Sequence, residues 1–177
     1  MKKSKILLWV STGLLVLLVG FFALRRSTGK ATRVEEKPGY RTIEETDPAM
    51  KAAISGARRT VSRFIDKISH PKPSYTYFAI KSAFRENRNV EHLWISFVRY
   101  DGKMFIGNIA STPHEIRSLV FGTEVHVSPD SISDWMVVDN GVLEGGYTLR
   151  LLRARMTPPE RRQFDQDGGF TSIDTTL

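Results

Sequence analysis

The spacing of apolar positions changes twice along the chain and divides it into parts. Ile6 to Leu24 is a run of 19 residues without a charged side chain. At about 1.5 Å per residue a helix there spans roughly 28 Å, close to the ~30 Å of a hydrocarbon core. Ser27 to Glu45 is polar, with Gly29, Pro38 and Gly39 and no apolar period, as a linker is. From Thr46-Asp47-Pro48, a capping pair followed by proline, the period becomes helical. Met50, Ile54, Ala57, Val61, Phe64, Ile65 and Ile68 form one stripe, with Ile54 expected in its buried centre, until His70-Pro71-Lys72-Pro73 stops it.

Beyond Pro73 the pattern shifts to strands. Tyr75–Arg85, Val90–Tyr100, Lys103–Ala110, Glu124–Val127 and Ile132–Asp139 are rich in aromatic and β-branched residues. Asp101-Gly102 and Asn140-Gly141 are two-residue hairpin signals, because a type I′ turn needs positive φ at both central positions. Hairpins without long crossovers predict an antiparallel meander. Ser111–Gly122 reads as a loop or a single helical turn. After Gly145-Gly146, Leu149, Leu152 and Met156 have helical spacing, with a competing strand pattern at Tyr147, Leu149 and Leu151. Thr157-Pro158-Pro159-Glu160 is a capping box for a second helix that buries Phe164.

These elements predict an α+β fold. An N-terminal amphipathic helix packs on a small bent antiparallel sheet of about five strands, one form of which is an SH3-like partial barrel. A C-terminal helical segment follows, and a single transmembrane helix precedes the whole. The division is 1–26 membrane anchor, 27–45 flexible linker and 46–177 domain.

Charge changes the picture of partners. The formal net charge is +7, but residues 1–30 hold six Lys/Arg and no acid, which leaves 20 basic against 19 acidic residues in the rest. The domain has no global basic field for phosphates, so no nucleic-acid partner is expected. Lysines and arginines flank the apolar run on both sides and do not decide its orientation. The short N-terminal tail resembles a signal n-region. The expectation is therefore a single-pass membrane protein with its N-terminus inside and its domain outside. A cleaved signal peptide is the alternative, with Ser27-Thr28-Gly29 as a cut site, although its apolar region would be shorter and Arg25-Arg26 intervenes.

Taken in order, Asp47-Pro48-x-Met50, Glu91-His92-x-Trp94, Gly107-x-Ile109, Ile132-Ser133-Asp134-Trp135-Met136, Gly145-Gly146-Tyr147-Thr148-x-Arg150 and Glu160-Arg161-Arg162-x-Phe164-Asp165 resemble the YegJ-like family of bacterial domains of unknown function (domain of unknown function 2314). The resemblance covers about residues 46–166. It implies an exported or anchored bacterial domain, here with the span 6–24 in the inner membrane and the domain in the periplasm, and brings no activity and no catalytic residues.

Chemical motifs are sparse. There is no cysteine, and His70, His92, His114 and His126 show no paired metal-ligand spacing, so neither a metal nor a cofactor is expected. No nucleophile elbow or phosphate-binding glycine loop is present. Strand alternation puts His92 and Trp94 on one face of Val90–Tyr100 and leaves His126 opposite Val125 and Val127. If the strands are near one another, these residues line one candidate binding surface with Asp134, Trp135 and Tyr147. It would be a ligand groove or a His–carboxylate acid/base pair; the alternative, which is favoured, is a second packing face. The Asn140-Gly141 hairpin returns the chain so that Asp134 should accept hydrogen bonds from the first amides after Gly146. Three functions follow: a membrane-tethered module binding an unknown envelope protein, toxin neutralisation being one version; an envelope hydrolase using His92 and Asp134; or a structural envelope protein.

Overall fold

The computed structural model describes residues 46–174. The apolar run 6–24 and the linker 27–45 lie outside them. No helix among the described residues is long and apolar enough to cross a membrane. Among the described residues the fold is α+β, with four helices and an open seven-stranded mixed sheet.

The N-terminal helical stripe forms two helices, α1 (Pro48–Arg59) and α2 (Val61–Ser69). Asp47 caps α1 by accepting from the Ala49 amide at 2.8 Å. The break falls at Thr60, where the Ala57 carbonyl would otherwise accept from residue 61. That carbonyl instead accepts from the Trp135 indole N–H at 3.2 Å, and the indole also donates to Thr60 Oγ1 at 3.0 Å. The Thr60 hydroxyl donates back to Gly56 O at 2.9 Å. The rotation this allows turns Phe64 fully inward, while Ile54, expected at the centre of the buried stripe, is only half-buried.

The sheet contains β1 (Tyr75–Glu86), β2 (Asn89–Tyr100), β3 (Phe105–Ile109), β4 (Glu124–Val127), β5 (Ile132–Asp139), β6 (Val142–Gly145) and β7 (Ser172–Ile173), in the spatial order β4-β3-β2-β1-β5-β6-β7. The sequence predicted about five strands, all antiparallel. The additional strands are β6, the return arm of the Asn140-Gly141 hairpin, and β7, which runs parallel to β6. Asn140 and Gly141 have φ of 46° and 79°, as a type I′ turn requires. The Asp101-Gly102 turn is longer than two residues. The Asp101 carboxylate accepts from the amides of Lys103 and Met104, which holds them out of the ladder and delays β3 to Phe105. The ambiguous segment 111–122 is a loop. Glu91 accepts from the amides of His114, Glu115 and Ile116, and Glu86 from those of Arg117 and Ser118.

The C-terminal part reads as its sequence does. Helix α3 (Tyr147–Ala154) starts after Gly146, and α4 (Pro158–Gly168) opens on the Thr157/Glu160 capping box. Arg153 ties the two together, donating from Nε and Nη2 to the two oxygens of Asp165 at 2.7 Å each.

The sheet separates two cores. On the α1/α2 side lie Phe64, Ile80, Leu93, Ile95, Phe105 and Trp135. The other side, under α3 and α4, holds Ala79, Met136, Val138, Leu143, Phe164 and Phe170.

Candidate functional site

Asp134 lies on the α3/α4 side of β5 and is fully buried. Its Oδ1 accepts from the amides of Trp135 and Tyr147, both at 2.9 Å. Its Oδ2 accepts from the Thr148 amide at 2.8 Å and the Thr148 hydroxyl at 2.6 Å. This is the bonding expected from the sequence, with the carboxylate set against the first amides of α3. Burial pushes the carboxyl above its ordinary range, opposed by the Thr148 donors and the charge of Lys81. All four bonds come from donors, an arrangement that suits the ionised form. Two glycines permit the approach. Gly145 has φ 73°, and a Cβ there would run into the Trp135 carbonyl. Gly146 has φ 60° and donates to that carbonyl at 2.7 Å.

Lys81 is the neighbour of Asp134 across β1 and β5, and of Trp94 across β1 and β2. The residues flanking it on the same face are Ala79 and Ala83, too small to cover it. Its Nζ stands 5.6 Å from the centre of the Trp94 ring. Among the described residues, the half-buried amine has no hydrogen-bond acceptor. Burial pulls its pKa below the usual lysine value, against the opposing pull of Asp134. Sequence reasoning did not single this lysine out. Its signal was present as one cation in the alternating row Tyr77, Ala79, Lys81, Ala83.

His92 stands beside this pair on β2. Its Nδ1 is 2.7 Å from Ser133 Oγ, not from Asp134. A register shift between Lys81 and Ser82 against β5 turns Ser133 onto this face. Ser133 is 1% exposed, and its hydroxyl is taken up within the fold by His92.

The six candidate residues do not form one surface. His92, Trp94 and Asp134 converge around Lys81. Trp135 is fully buried on the opposite face against α1. Tyr147 also lies on that side, its hydroxyl 2.8 Å from Thr60 Oγ1 and its ring packed on Gly56. His126 is exposed on β4, opposite Ile106, which is opposite Arg99 on β2. His92 and Arg99 are roughly 23 Å apart along β2 at about 3.3 Å per residue, so His126 is remote from the cluster. Among the described residues no three His, Asp or Glu side chains converge as metal ligands would.

Residues 47–171 match the bacterial family described as "Uncharacterized protein conserved in bacteria (DUF2314)". The chain is 34% identical over 101 residues to the "Uncharacterized protein YegJ" of Escherichia coli K12, an alignment covering 57% of this chain and 65% of that protein. It is 30% identical over 136 residues to a Neisseria meningitidis serogroup B protein named "Putative ankyrin repeat protein", covering 72% of this chain and 54% of that one. The chain thus spans less than two thirds of the length of either relative. No solved structure matches it. The match over most of its length places this chain in the DUF2314 family.

Proposed function

We propose that this protein is a binding module, held at a bacterial inner membrane by residues 6–24, whose domain takes a carboxylate of an envelope protein partner at Lys81. Toxin neutralisation is one form such binding can take. The observation that carries the reading is the Lys81 amine, half-buried on Trp94 without an internal acceptor. A partly desolvated cation without an acceptor costs folding free energy. A group kept at such a cost is a candidate for recognition. Asp134 takes no ligand in this reading. Its four donors occupy it, and its charge opposes the fall that burial imposes on the lysine's pKa.

A hydrolase acting through His92 and Asp134 has less support, because Asp134 is saturated by donors and the Nδ1 of His92 faces a buried hydroxyl.

The test is photo-cross-linking in intact cells, with a photoreactive residue at Ala83 beside Lys81 or at the exposed Arg63 on α2. A discrete adduct from position 83, absent from 63 and lost when Lys81→Met is added, is expected. Equal adducts from both positions, or none from 83, would overturn the reading.

A further inference from the structure

Arg150 and Arg153 stand about one turn apart on α3, and their guanidinium groups meet opposite circumstances. Arg153 presents its Nε and Nη2 to Asp165, and the two parallel bonds of 2.7 Å make a side-on fork. The same two nitrogens of Arg150 are buried and have no hydrogen-bond partner among the described residues.

Arg150 is half-buried, with its guanidinium carbon 5.6 Å above the centre of the Tyr147 ring. Burial pulls its pKa below the usual arginine value, while Tyr147, Asp174, Asp134 and Glu144 oppose that shift through their charge. None of these carboxylates bonds to the fork. Asp134 is occupied by its four donors, and Glu144 is held by Lys67 at 2.9 Å. Two desolvated donors are therefore left over on a rigid planar group.

We propose that the Nε/Nη2 edge of Arg150 is a binding site for the single carboxylate group of a ligand. The Arg153–Asp165 pair shows what this edge takes elsewhere on the same helix: a planar two-oxygen acceptor. Charge narrows the class further. With Asp134, Glu144 and Asp174 contributing negative potential at Arg150, a singly charged carboxylate is admitted at lower cost than a phosphate dianion. The carboxylate can belong to a small organic acid or to the C-terminus of a peptide; the fork sees the same group in both. This site is independent of the Lys81 surface and stands or falls separately.

The test uses the full-length protein titrated with sodium acetate, with sodium chloride and sodium phosphate at matched ionic strength as controls. Two quantities are read: the nitrogen-15 resonance of Arg150 Nε and the melting temperature. Acetate is expected to move the Nε resonance saturably and to raise the melting temperature with concentration, as ligand linkage requires. Chloride and phosphate should do neither. Arg150→Lys keeps a cation but lacks the fork, and should lose the acetate-specific rise. A tripeptide with a free C-terminus that acts at lower concentration than acetate, while its amidated form is inert, would identify a peptide terminus as the source; acetate as effective as the tripeptide would identify a small acid. If acetate and chloride affect the wild type equally, or if Arg150→Lys responds as the wild type does, the site is refuted. Should Arg150→Lys fail to fold, the wild-type resonance decides alone.

Discussion

The two faces of the sheet are built on opposite principles. On the α1/α2 face, most polar atoms that turn inward bond within the fold: the Trp135 indole is spent on Ala57 and Thr60, and the Tyr147 hydroxyl meets Thr60, while Oδ1 of Asp139 is buried without a partner among the described residues. The rest of that face is aliphatic side chains around interlocking aromatic rings, with Phe64 in edge contact with Phe78 and Phe105 at 6.1 and 5.5 Å. On the α3/α4 face the apolar cluster covers only part of the sheet, and beside it stand a buried carboxylate, a buried serine hydroxyl and an amine without an acceptor. Stability explains the first face apart from the buried Oδ1 of Asp139. It explains Asp134 on the second, through its donors, but not Lys81.

This comparison can be broken at several points. Phe64→Ala should have the largest effect, costing about 3–5 kcal/mol because a fully buried ring is replaced by a cavity. Urea denaturation measures it, and a loss below about 1 kcal/mol would mean that this face is not the main core. Ile54→Asp should cost less than Phe64→Ala, since Ile54 is only partly buried.

Asp134→Ala comes next. It leaves buried amides and the Thr148 hydroxyl without their acceptor, at a cost of roughly 2–3 kcal/mol. Asp134→Asn should retain part of the stability through one remaining carbonyl oxygen. An alanine variant that melts like the wild type would remove Asp134 from the frame and return it to the list of reactive groups.

Lys81→Met should go the other way, with stability unchanged or raised by up to about 1 kcal/mol. The sign follows from linkage. A lysine whose folded pKa lies below its unfolded value of 10.5 disfavours the fold at neutral pH, and that penalty fades as pH rises through the folded pKa toward 10.5. The stability gap between Lys81→Met and wild type should therefore narrow above neutral pH, as paired melting curves can show.

The smallest effect concerns the loop 111–122. Bonds to Ser118 and Arg117 hold the Glu86 carboxyl below its ordinary value of 4.5. The stability it lends is present above pH 4.5 and is lost as pH falls through the lower, folded pKa. Glu86→Gln should lower the melting temperature slightly near neutral pH, and the difference should vanish once the pH has fallen below the folded pKa. A difference that persists at low pH would show that charge is not what holds the loop.

How far these features were legible in the sequence depended on range. Asn140-Gly141, the Thr157 capping box and the start of α3 after Gly146 are local signals, and each appears where its residues predict. The bonding of Asp134 was legible because a hairpin of known geometry carries Gly146 back to it. The break at Thr60 was not, since its cause is an indole 75 residues away in the chain. Nor was β7, a two-residue strand paired with β6 only after two intervening helices. The joint surface of His92 and His126 required a strand order and registers that alternation does not contain. Alternation placed each histidine on its face but could not give the distance between them. The same limit hid Lys81, whose importance lies in what fails to surround it.

The most direct measurement is therefore made on Lys81→Met itself, recording melting temperature and partner cross-linking from position 83 in the same variant. The account predicts a melting temperature at or above that of the wild type together with loss of the cross-linked adduct. A lowered melting temperature with the adduct retained would make Lys81 a structural residue and contradict the account.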